Sequence, residues 1–220
     1  MKVSEILPRG WADVIAPKYA RLGIGFDVAT TTKKKSNPSS LAIVQEVGRM
    51  IYARLVLRWK SKDPAIAYAL FEQLLDAVHG KFSIRIAIDA TSEKYFAVDF
   101  KKKFTGRCPV QLVVASESLE YRGEKMIYKV YCGNLLCNQL EDALLALPAE
   151  AFIRNDFRLV VRDRGTFDAE VDENGAHGDT FDSVKLGILA LRGKGGGPVA
   201  AKAIRTGTFG GRGTGFKFHA

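Results

Sequence analysis

Apolar and polar residues alternate along the first third of the chain with the period of a β-strand. Apolar side chains occupy positions 22, 24, 26 and 28 of the stretch RLGIGFDVA. Two longer apolar runs, LAIVQEV and RMIYARLVLRW, follow the polar segment TTTKKKSNPSS and are separated by Val47-Gly48-Arg49. Such runs, bounded by turn residues, predict three strands, of which the last two are antiparallel neighbours. Gly23 and Gly25 lie inside the first strand, where the missing side chains predict the close approach of another backbone.

Helical spacing begins after residue 63. Asp63-Pro64 places a proline at the first position of a helix, and apolar residues recur at positions 66, 70, 74 and 78. The apolar stretch IRIAIDAT, residues 84–91, predicts a short buried strand that ends in Asp89. We expect a helix over YFAVDFKKKF and a further strand over VQLVVAS.

The second half of the chain continues this alternation. EYRGEKMIYKVYCG fits either a hairpin or a strand that leads into a helix, and both interpretations stay open. NQLEDALLAL predicts a helix that Pro148 stops, and FRLVVRDRGTFDAEVDENG predicts a hairpin. A last helix begins near Asp179, with buried positions at 184, 188 and 191. A strand meander followed by alternating helices and strands predicts a mixed α/β sheet with helices on its faces.

The chain has 220 residues, which is long enough for one substantial domain with its own core. We expect an N-terminal arm or linker stub over residues 1–20, an α/β domain over residues 21–192, and a flexible, basic, glycine-rich tail over residues 193–220. From residue 183 onward the sequence contains lysines and arginines but neither Asp nor Glu. Two interpretations of the tail stay open, namely a solvated terminus and a mobile arm that binds phosphates.

The composition narrows the classes of function. The formal net charge is +9, which favours an anionic partner, most commonly nucleic acid. No apolar run approaches the roughly 20 residues of a membrane span, and the first residues lack the apolar segment of a signal peptide, so no membrane partner is expected. The three cysteines match no zinc or thioredoxin spacing, and they fit buried thiols in a reducing, intracellular protein.

Three aspartates have a setting that suggests chemistry. Asp27 lies inside an apolar strand, Asp89 ends another, and Asp179 begins the last helix. A carboxylate inside a buried strand is costly unless it has partners, and hard divalent cations take carboxylate oxygens as ligands. Simpler explanations exist, because Asp179 suits a helix cap and Asp89 suits a turn. Together with the basic charge, the three acids favour a two-metal site of the kind that hydrolyses phosphodiesters.

The motifs around these acids resemble the nuclease domain of phage large terminase subunits, in particular those of Mu-like phages and prophages. GFDVA lies on the first strand, IAIDAT on a later strand and HGDTFDSVKLGI on the last helix. YRGEKMIYKVYCGNLL, LPAEAF and RLVVRDRGTF extend the resemblance, which covers about residues 20–192. It implies an RNase H-like fold, with a mixed central sheet flanked by helices. It also implies an endonuclease that cuts concatemeric double-stranded DNA with two Mg²⁺ or Mn²⁺ ions.

The resemblance implies roles for individual acids. The family's late motif, H-D-D-x-x-D-A, appears here as residues 177–183, with Gly178 in place of its first Asp. This departure leaves the next acid, Asp179, as the third catalytic ligand beside the two strand acids. The histidine of the motif equally suits a surface turn. The implied metal ligands are Asp27, Asp89, Asp179, Asp182 and His177, of which the first three are catalytic.

Basic residues near these motifs predict contacts with DNA phosphates. TTTKKKS follows the first strand, where its lysines either border the catalytic groove or form a solvated loop. In the family, a hairpin before the last helix lies beside the active site, and RLVVRDRG is expected to form it here. Phosphate contacts carry little base specificity. The predicted DNA-binding residues are Lys33, Lys34, Lys35, Arg158, Arg162 and Arg164.

The resemblance further implies partners. Large terminases carry an N-terminal ATPase, but this sequence contains no P-loop motif, so we expect the chain to be the nuclease part of a longer subunit. A small terminase subunit, a portal protein and a location in the host cytoplasm are implied in the same way. Two other functions stay open. One is a non-catalytic module that clamps DNA or docks on the portal, and the other is a different RNase H-like nuclease, such as a junction resolvase or recombinase.

Overall fold

The computed structural model describes residues 1–16, 21–30, 37–163, 165–171 and 178–193. Its centre is a six-stranded mixed sheet with the strand order β5-β4-β1-β2-β3-β8. Two separate hairpins, β6–β7 and β9–β10, lie outside this sheet. The strands are β1 Arg21–Asp27, β2 Ser39–Val47, β3 Met50–Trp59, β4 Ser83–Asp89, β5 Val110–Val113, β6 Ser118–Tyr121, β7 Glu124–Ile127, β8 Leu145–Ala146, β9 Val160–Asp163 and β10 Thr166–Ala169.

The predicted strand meander is confirmed. β1 pairs with β2 and β2 pairs with β3, in both cases antiparallel, with an irregularity between Ile43 and Val44. β4 returns to the other side of β1 as a parallel neighbour, and β5 extends the sheet in parallel with β4. β1 and β4 are therefore central strands whose carboxyl ends lie at the same edge.

Six helices flank the sheet, as the mixed α/β prediction requires. A 3₁₀ turn at Trp11–Val14 precedes the first strand. The helices are α1 Val3–Ile6, α2 Pro64–Val78, α3 Lys94–Phe104, α4 Tyr128–Glu141, α5 Ala151–Leu159 and α6 Asp179–Arg192.

One face of the sheet carries an aromatic core beneath α2 and α3. Phe26 points to this face and stacks against Trp59, with ring centroids 5.9 Å apart. Phe71 of α2 meets Phe100 of α3 edge to face at 4.6 Å. Asp63 starts α2 as predicted, because its Oδ1 accepts a hydrogen bond from the Ala65 amide at 2.9 Å.

The other face is covered by α6, which lies directly on β1. A Cβ at Gly23 would overlap the carbonyl oxygen of Gly187, and a Cβ at Gly25 would overlap the carbonyl oxygen of Ser183. The two strand glycines therefore permit a backbone-to-backbone approach that no other residue allows. This confirms the close approach predicted from the sequence and identifies α6 as the partner.

Two predictions for the second half of the chain are wrong. The helix expected over NQLEDALLAL ends at Glu141, because Leu145 and Ala146 pair instead with Ile51 and Tyr52 at the open edge of β3. The hairpin expected over FRLVVRDRGTFDAEVDENG is shorter, because its first residues belong to α5, which the sequence reading missed. Arg158 consequently lies on a helix and not on the hairpin.

Residues 1–16 pack on the domain. Leu7 and Ile15 are buried and contribute to the aromatic-rich core. The boundaries proposed at residues 20 and 192 stay predictions, and the tail from residue 194 lies outside the described residues. In the part of the chain that the structure describes, no helix is long and apolar enough to cross a bilayer.

Candidate metal centre

Two of the predicted acids end neighbouring parallel strands. Asp27 is the last residue of β1 and Asp89 the last residue of β4, one position beyond the paired residues Phe26 and Ile88. Side chains alternate between the two faces of a strand. Asp27 therefore shares the face of Gly25, which α6 covers. The same alternation places Asp89 on the α6 face of β4.

The amino-terminal turn of α6 brings two further acids to this edge. Ser183 of α6 shares a hydrogen bond with Ser40 at 2.8 Å between the hydroxyl oxygens. Ser40 is the residue of β2 that pairs with Asp27. Asp179 and Asp182 lie close to this junction in the sequence of α6, with Asp179 only 1% exposed and the Asp182 side chain 39% exposed. Of the two, Asp182 is the one that meets solvent.

Asp27 is the electrostatic centre of the group. Its pKa is raised well above the usual range, first because the carboxyl is buried, and then because of the charges of Asp182, Asp89 and Asp179, in that order. Lys185 opposes the increase. The structure thus brings all four described acids of the predicted site within electrostatic range of one another, and Asp182 acts on Asp27 more strongly than Asp179 does.

A lysine that the sequence reading did not assign lies among these acids. Lys185, one helical turn after Asp182, places its Nζ 2.5 Å from Oδ1 of that aspartate, and its side chain is only 12% exposed. Burial lowers the pKa of Lys185, but the charge of Asp182, its hydrogen bond and the charge of Asp27 outweigh burial, so the net pKa is raised. The site therefore contains one built-in positive charge.

Asp89 is oriented by its own turn. Its Oδ1 accepts hydrogen bonds from the amide of Thr91 at 2.7 Å and from the Thr91 hydroxyl at 2.6 Å. The Thr91 hydroxyl oxygen in turn accepts from the amide of Ala115 at 3.0 Å. The turn explanation offered for Asp89 is thus correct for one carboxylate oxygen, and it fixes the direction of the other.

A cavity of about 90 Å³ opens beside the acids. Asp89 and Asp182 line it together with Tyr128, Lys129 and Cys132. Burial raises the pKa of the Cys132 thiol to about 12, so the group stays protonated at neutral pH and offers no thiolate ligand. The polar chemistry of the cavity is therefore that of carboxylates and two lysines.

The cap of α6 comes from another helix. Asp156 of α5 is 1% exposed, and its Oδ2 accepts a hydrogen bond from the amide of Thr180 at 3.0 Å. Its Oδ1 accepts from Arg58 Nη1 at 3.0 Å. A carboxylate in this place satisfies an amide of the first turn and suits the helix dipole. The capping role considered for Asp179 thus belongs to Asp156, which the sequence reading missed.

The hairpin β9–β10 lies against α4 beside the cavity. Asp168 of β10 pairs with Lys129 at 2.6 Å, and the ring of Phe167 packs against Gly133, where a Cβ would overlap it. Arg162 of the hairpin and Arg158 of α5 are both exposed. The remaining predicted residues, Lys33, Lys34, Lys35, Arg164 and His177, lie outside the described residues.

The carboxylates approach without forming a closed ligand set. Among the described residues, no three His, Cys, Asp or Glu side chains are placed to hold a metal ion jointly. The donor chemistry fits a hard divalent cation, because the acids around Asp27 offer only carboxylate oxygens. The negative charge that raises the pKa of Asp27 is also the kind that a cation relieves.

Solved structures with the same arrangement of strands and helices are terminase nucleases. The nuclease domain of the Thermus phage P74-26 large terminase superposes with a TM-score of 0.53 over 82% of this chain and 86% of that one, at 14% identity. The fold is that of a large terminase nuclease domain. This confirms the predicted RNase H-like fold.

Two other terminase structures agree. The large terminase nuclease of phage G20c, solved with bound magnesium, gives a TM-score of 0.52 at 14% identity, covering 79% of this chain and 84% of that one. The large terminase of another thermophilic bacteriophage gives 0.52 at 12% identity over 81% of this chain, which spans 42% of that longer protein. No family model and no curated protein sequence matches the chain, and the Mu-like subtype stays a prediction.

Helical spacing was the signal that could have found Lys185. Positions 179, 182 and 185 are each three residues apart, so they follow one side of the helix. No comparable signal existed for Asp156 or Lys129, because each reaches the site through contacts with residues distant in the sequence.

Proposed function

We propose that this domain is a metal-dependent endonuclease of the terminase type, which cuts concatemeric double-stranded DNA during genome packaging. The observation that carries the proposal is the position of Asp27, buried at the end of a central strand and surrounded by Asp182, Asp89 and Asp179 on the terminase nuclease fold. A buried carboxylate with three acidic neighbours is costly by itself. Bound cations would compensate for that cost.

Asp27 has the place of the ligand shared between two ions, since all the other acids act on it. Asp89 is held by Thr91, and Asp182 faces the cavity. Asp179, which is almost fully buried, lies on the inner side. Two Mg²⁺ or Mn²⁺ ions, when bound, would activate a water molecule and stabilise the leaving 3′ oxygen.

The remaining residues orient the acids and the substrate. Asp156 anchors the first turn of α6, so that Asp179 and Asp182 keep their position relative to β1. Lys129 on the cavity wall offers a positive charge to a DNA phosphate. The exposed Arg158 and Arg162 extend this basic surface, and we assign Lys33, Lys34, Lys35 and Arg164 to it from the sequence, with His177 as a metal-ligand candidate.

The partners follow from the same proposal. The nuclease works on DNA supplied by an ATPase domain of the same subunit, together with a small terminase subunit and a portal protein, in the host cytoplasm. The basic net charge of +9 suits the DNA substrate.

Cleavage of supercoiled and linear plasmid tests the activity. We expect cleavage with Mg²⁺ or Mn²⁺ and none with EDTA, while Ca²⁺ binds but supports little reaction because its coordination is looser. Asp27→Asn should abolish cleavage in a folded protein. The matched control is Asp99→Asn on the exposed surface of α3, which should cleave like the wild type. Equal cleavage by folded Asp27→Asn would refute the site, and a preference for branched DNA would favour a resolvase.

A further inference from the structure

The ion pair between Lys185 and Asp182 lies at the place where a metal ligand is expected. The ammonium nitrogen is 2.5 Å from Oδ1 of Asp182. Lys185 also contacts the face of the Phe181 ring, at 5.7 Å from its centroid. Both lysine and aspartate line the cavity that Asp89 opens into. The lysine is therefore held inside the acidic site and is not a surface partner.

The pair occupies a ligand atom that a divalent cation would use. A lysine ammonium is a compact charge with three donors, and one of them is directed at Asp182 Oδ1. An ammonium and a divalent cation repel each other at short range in a partly buried site. Both cannot contact the same carboxylate oxygen favourably, so Asp182 must exchange one cation for the other.

We infer that Lys185 is a tethered cation that competes with a metal ion for Asp182. This inference rests on the proposed metal site and adds a regulatory step to it. One ion binds first, at Asp27 and Asp89, and Asp182 joins an ion only after Lys185 withdraws from it. Lys185 is thus a positioning residue that makes the second metal step weak and keeps the acids compatible with the fold when metal is scarce.

Metal affinity measured on the full 220-residue chain tests this. Lys185→Met removes the charge and keeps most of the side-chain length, while Lys185→Arg keeps the charge. Titration with Mn²⁺, followed by calorimetry and by the free-ion electron paramagnetic resonance signal, should show the weaker step tightened about tenfold or more in Lys185→Met. Lys185→Arg should stay close to the wild type.

A matched control is available on another helix. Lys102 pairs with Asp99 at the same spacing of three residues, at 3.2 Å, on the exposed surface of α3. Lys102→Met removes an equivalent charge away from the site and should leave Mn²⁺ affinity unchanged. If Lys185→Met and Lys102→Met change the affinity equally, the effect is one of net charge and the inference is overturned.

A second measurement needs no variant at the site. In wild-type protein with ¹⁵N-labelled lysine, saturating Mg²⁺ should shift or broaden the Lys185 ammonium resonance and leave that of Lys102 in place. An unmoved Lys185 signal at saturating metal would overturn the competition even if Lys185→Met failed to fold.

The two proposals fail in different ways. Absence of DNA cleavage with a tightened Mn²⁺ step in Lys185→Met would remove the endonuclease and leave the competition standing. Metal-dependent cleavage with unchanged or weaker Mn²⁺ affinity in folded Lys185→Met would leave the endonuclease and remove the competition.

Discussion

Single carboxylates in this protein have different tasks according to their burial and neighbours. Asp27 is surrounded by like charge, Asp89 is held by the turn at Thr91, and Asp156 is neutralised by Arg58 and an amide of α6. Each is an aspartate near a helix or strand end, so residue type and local position alone do not separate these roles. The partners that surround each side chain do.

Asp27→Asn should not destabilise the metal-free protein at neutral pH. Because the pKa of Asp27 is raised in the folded state, the folded protein binds this proton more tightly than the unfolded chain. Ionisation therefore costs stability as the pH rises above the ordinary value of about 4. In EDTA the variant should melt at the same or a higher temperature than the wild type at pH 7–8, and the difference should shrink towards pH 4.

Differential scanning fluorimetry across this pH range measures the effect. Asp99→Asn, which changes an exposed side chain, provides the comparison and should show no such pH-dependent gain. A metal-free Asp27→Asn protein that melts well below the wild type at pH 7–8 would contradict the electrostatic account of the site.

The contact of α6 with β1 is the packing on which the site depends. α6 carries Asp179, Asp182 and Lys185, and its distance from Asp27 is set by how closely it lies on the strand. Gly23 and Gly25 set that distance, because a side chain at either would meet backbone atoms of α6. The stability of this contact and the geometry of the site are therefore linked.

Gly25→Ala should disturb both. The added Cβ overlaps the carbonyl oxygen of Ser183 and the amide nitrogen of Gly187, and overpacking of this kind costs about 1–3 kcal/mol or more. Urea unfolding should show this loss, and Mn²⁺ affinity should fall because α6 is pushed away from Asp27. Gly106→Ala, where a Cβ meets nothing within 4 Å, should change stability by less than about 0.5 kcal/mol. A stable Gly25→Ala protein with unchanged metal binding would disprove the link.

The molecule combines an acidic centre with a basic remainder. The net charge is +9 although the candidate site gathers four aspartates. The exposed Arg158 and Arg162 belong to the basic part, as do the lysines and arginines of residues 194–220. This division suits a protein whose surface attracts a polyanion while its site collects cations.

Removal of residues 194–220 should weaken DNA binding uniformly across sequences. The deleted segment contains five basic residues and no acid, and each phosphate neutralised contributes about 0.9 to the slope of log affinity against log salt. Fluorescence anisotropy with a labelled duplex at several salt concentrations should give a shallower slope. Thermal stability and metal affinity should be kept, since no candidate ligand lies beyond Asp182. An unchanged slope would show that the tail does not touch DNA and would favour docking on the portal or another motor component.

The amino-acid sequence alone was sufficient for the features that depend on local periodicity. Alternation identified β1 to β3, helical spacing and Asp63-Pro64 identified α2, and the acids at the strand ends identified Asp27 and Asp89. The glycines in β1 also predicted a close backbone contact. These signals succeed because side-chain direction follows the backbone period within a few residues.

Tertiary contacts decided the rest. β8 formed in place of a helical turn because β3 offered an open edge. The α6 cap came from Asp156, which is 98 residues from its partner Arg58, and the ranking of Asp182 above Asp179 depended on which side of α6 faces the cavity. These outcomes are set by burial and by charges brought together across the fold, and neither quantity exists until the chain has packed.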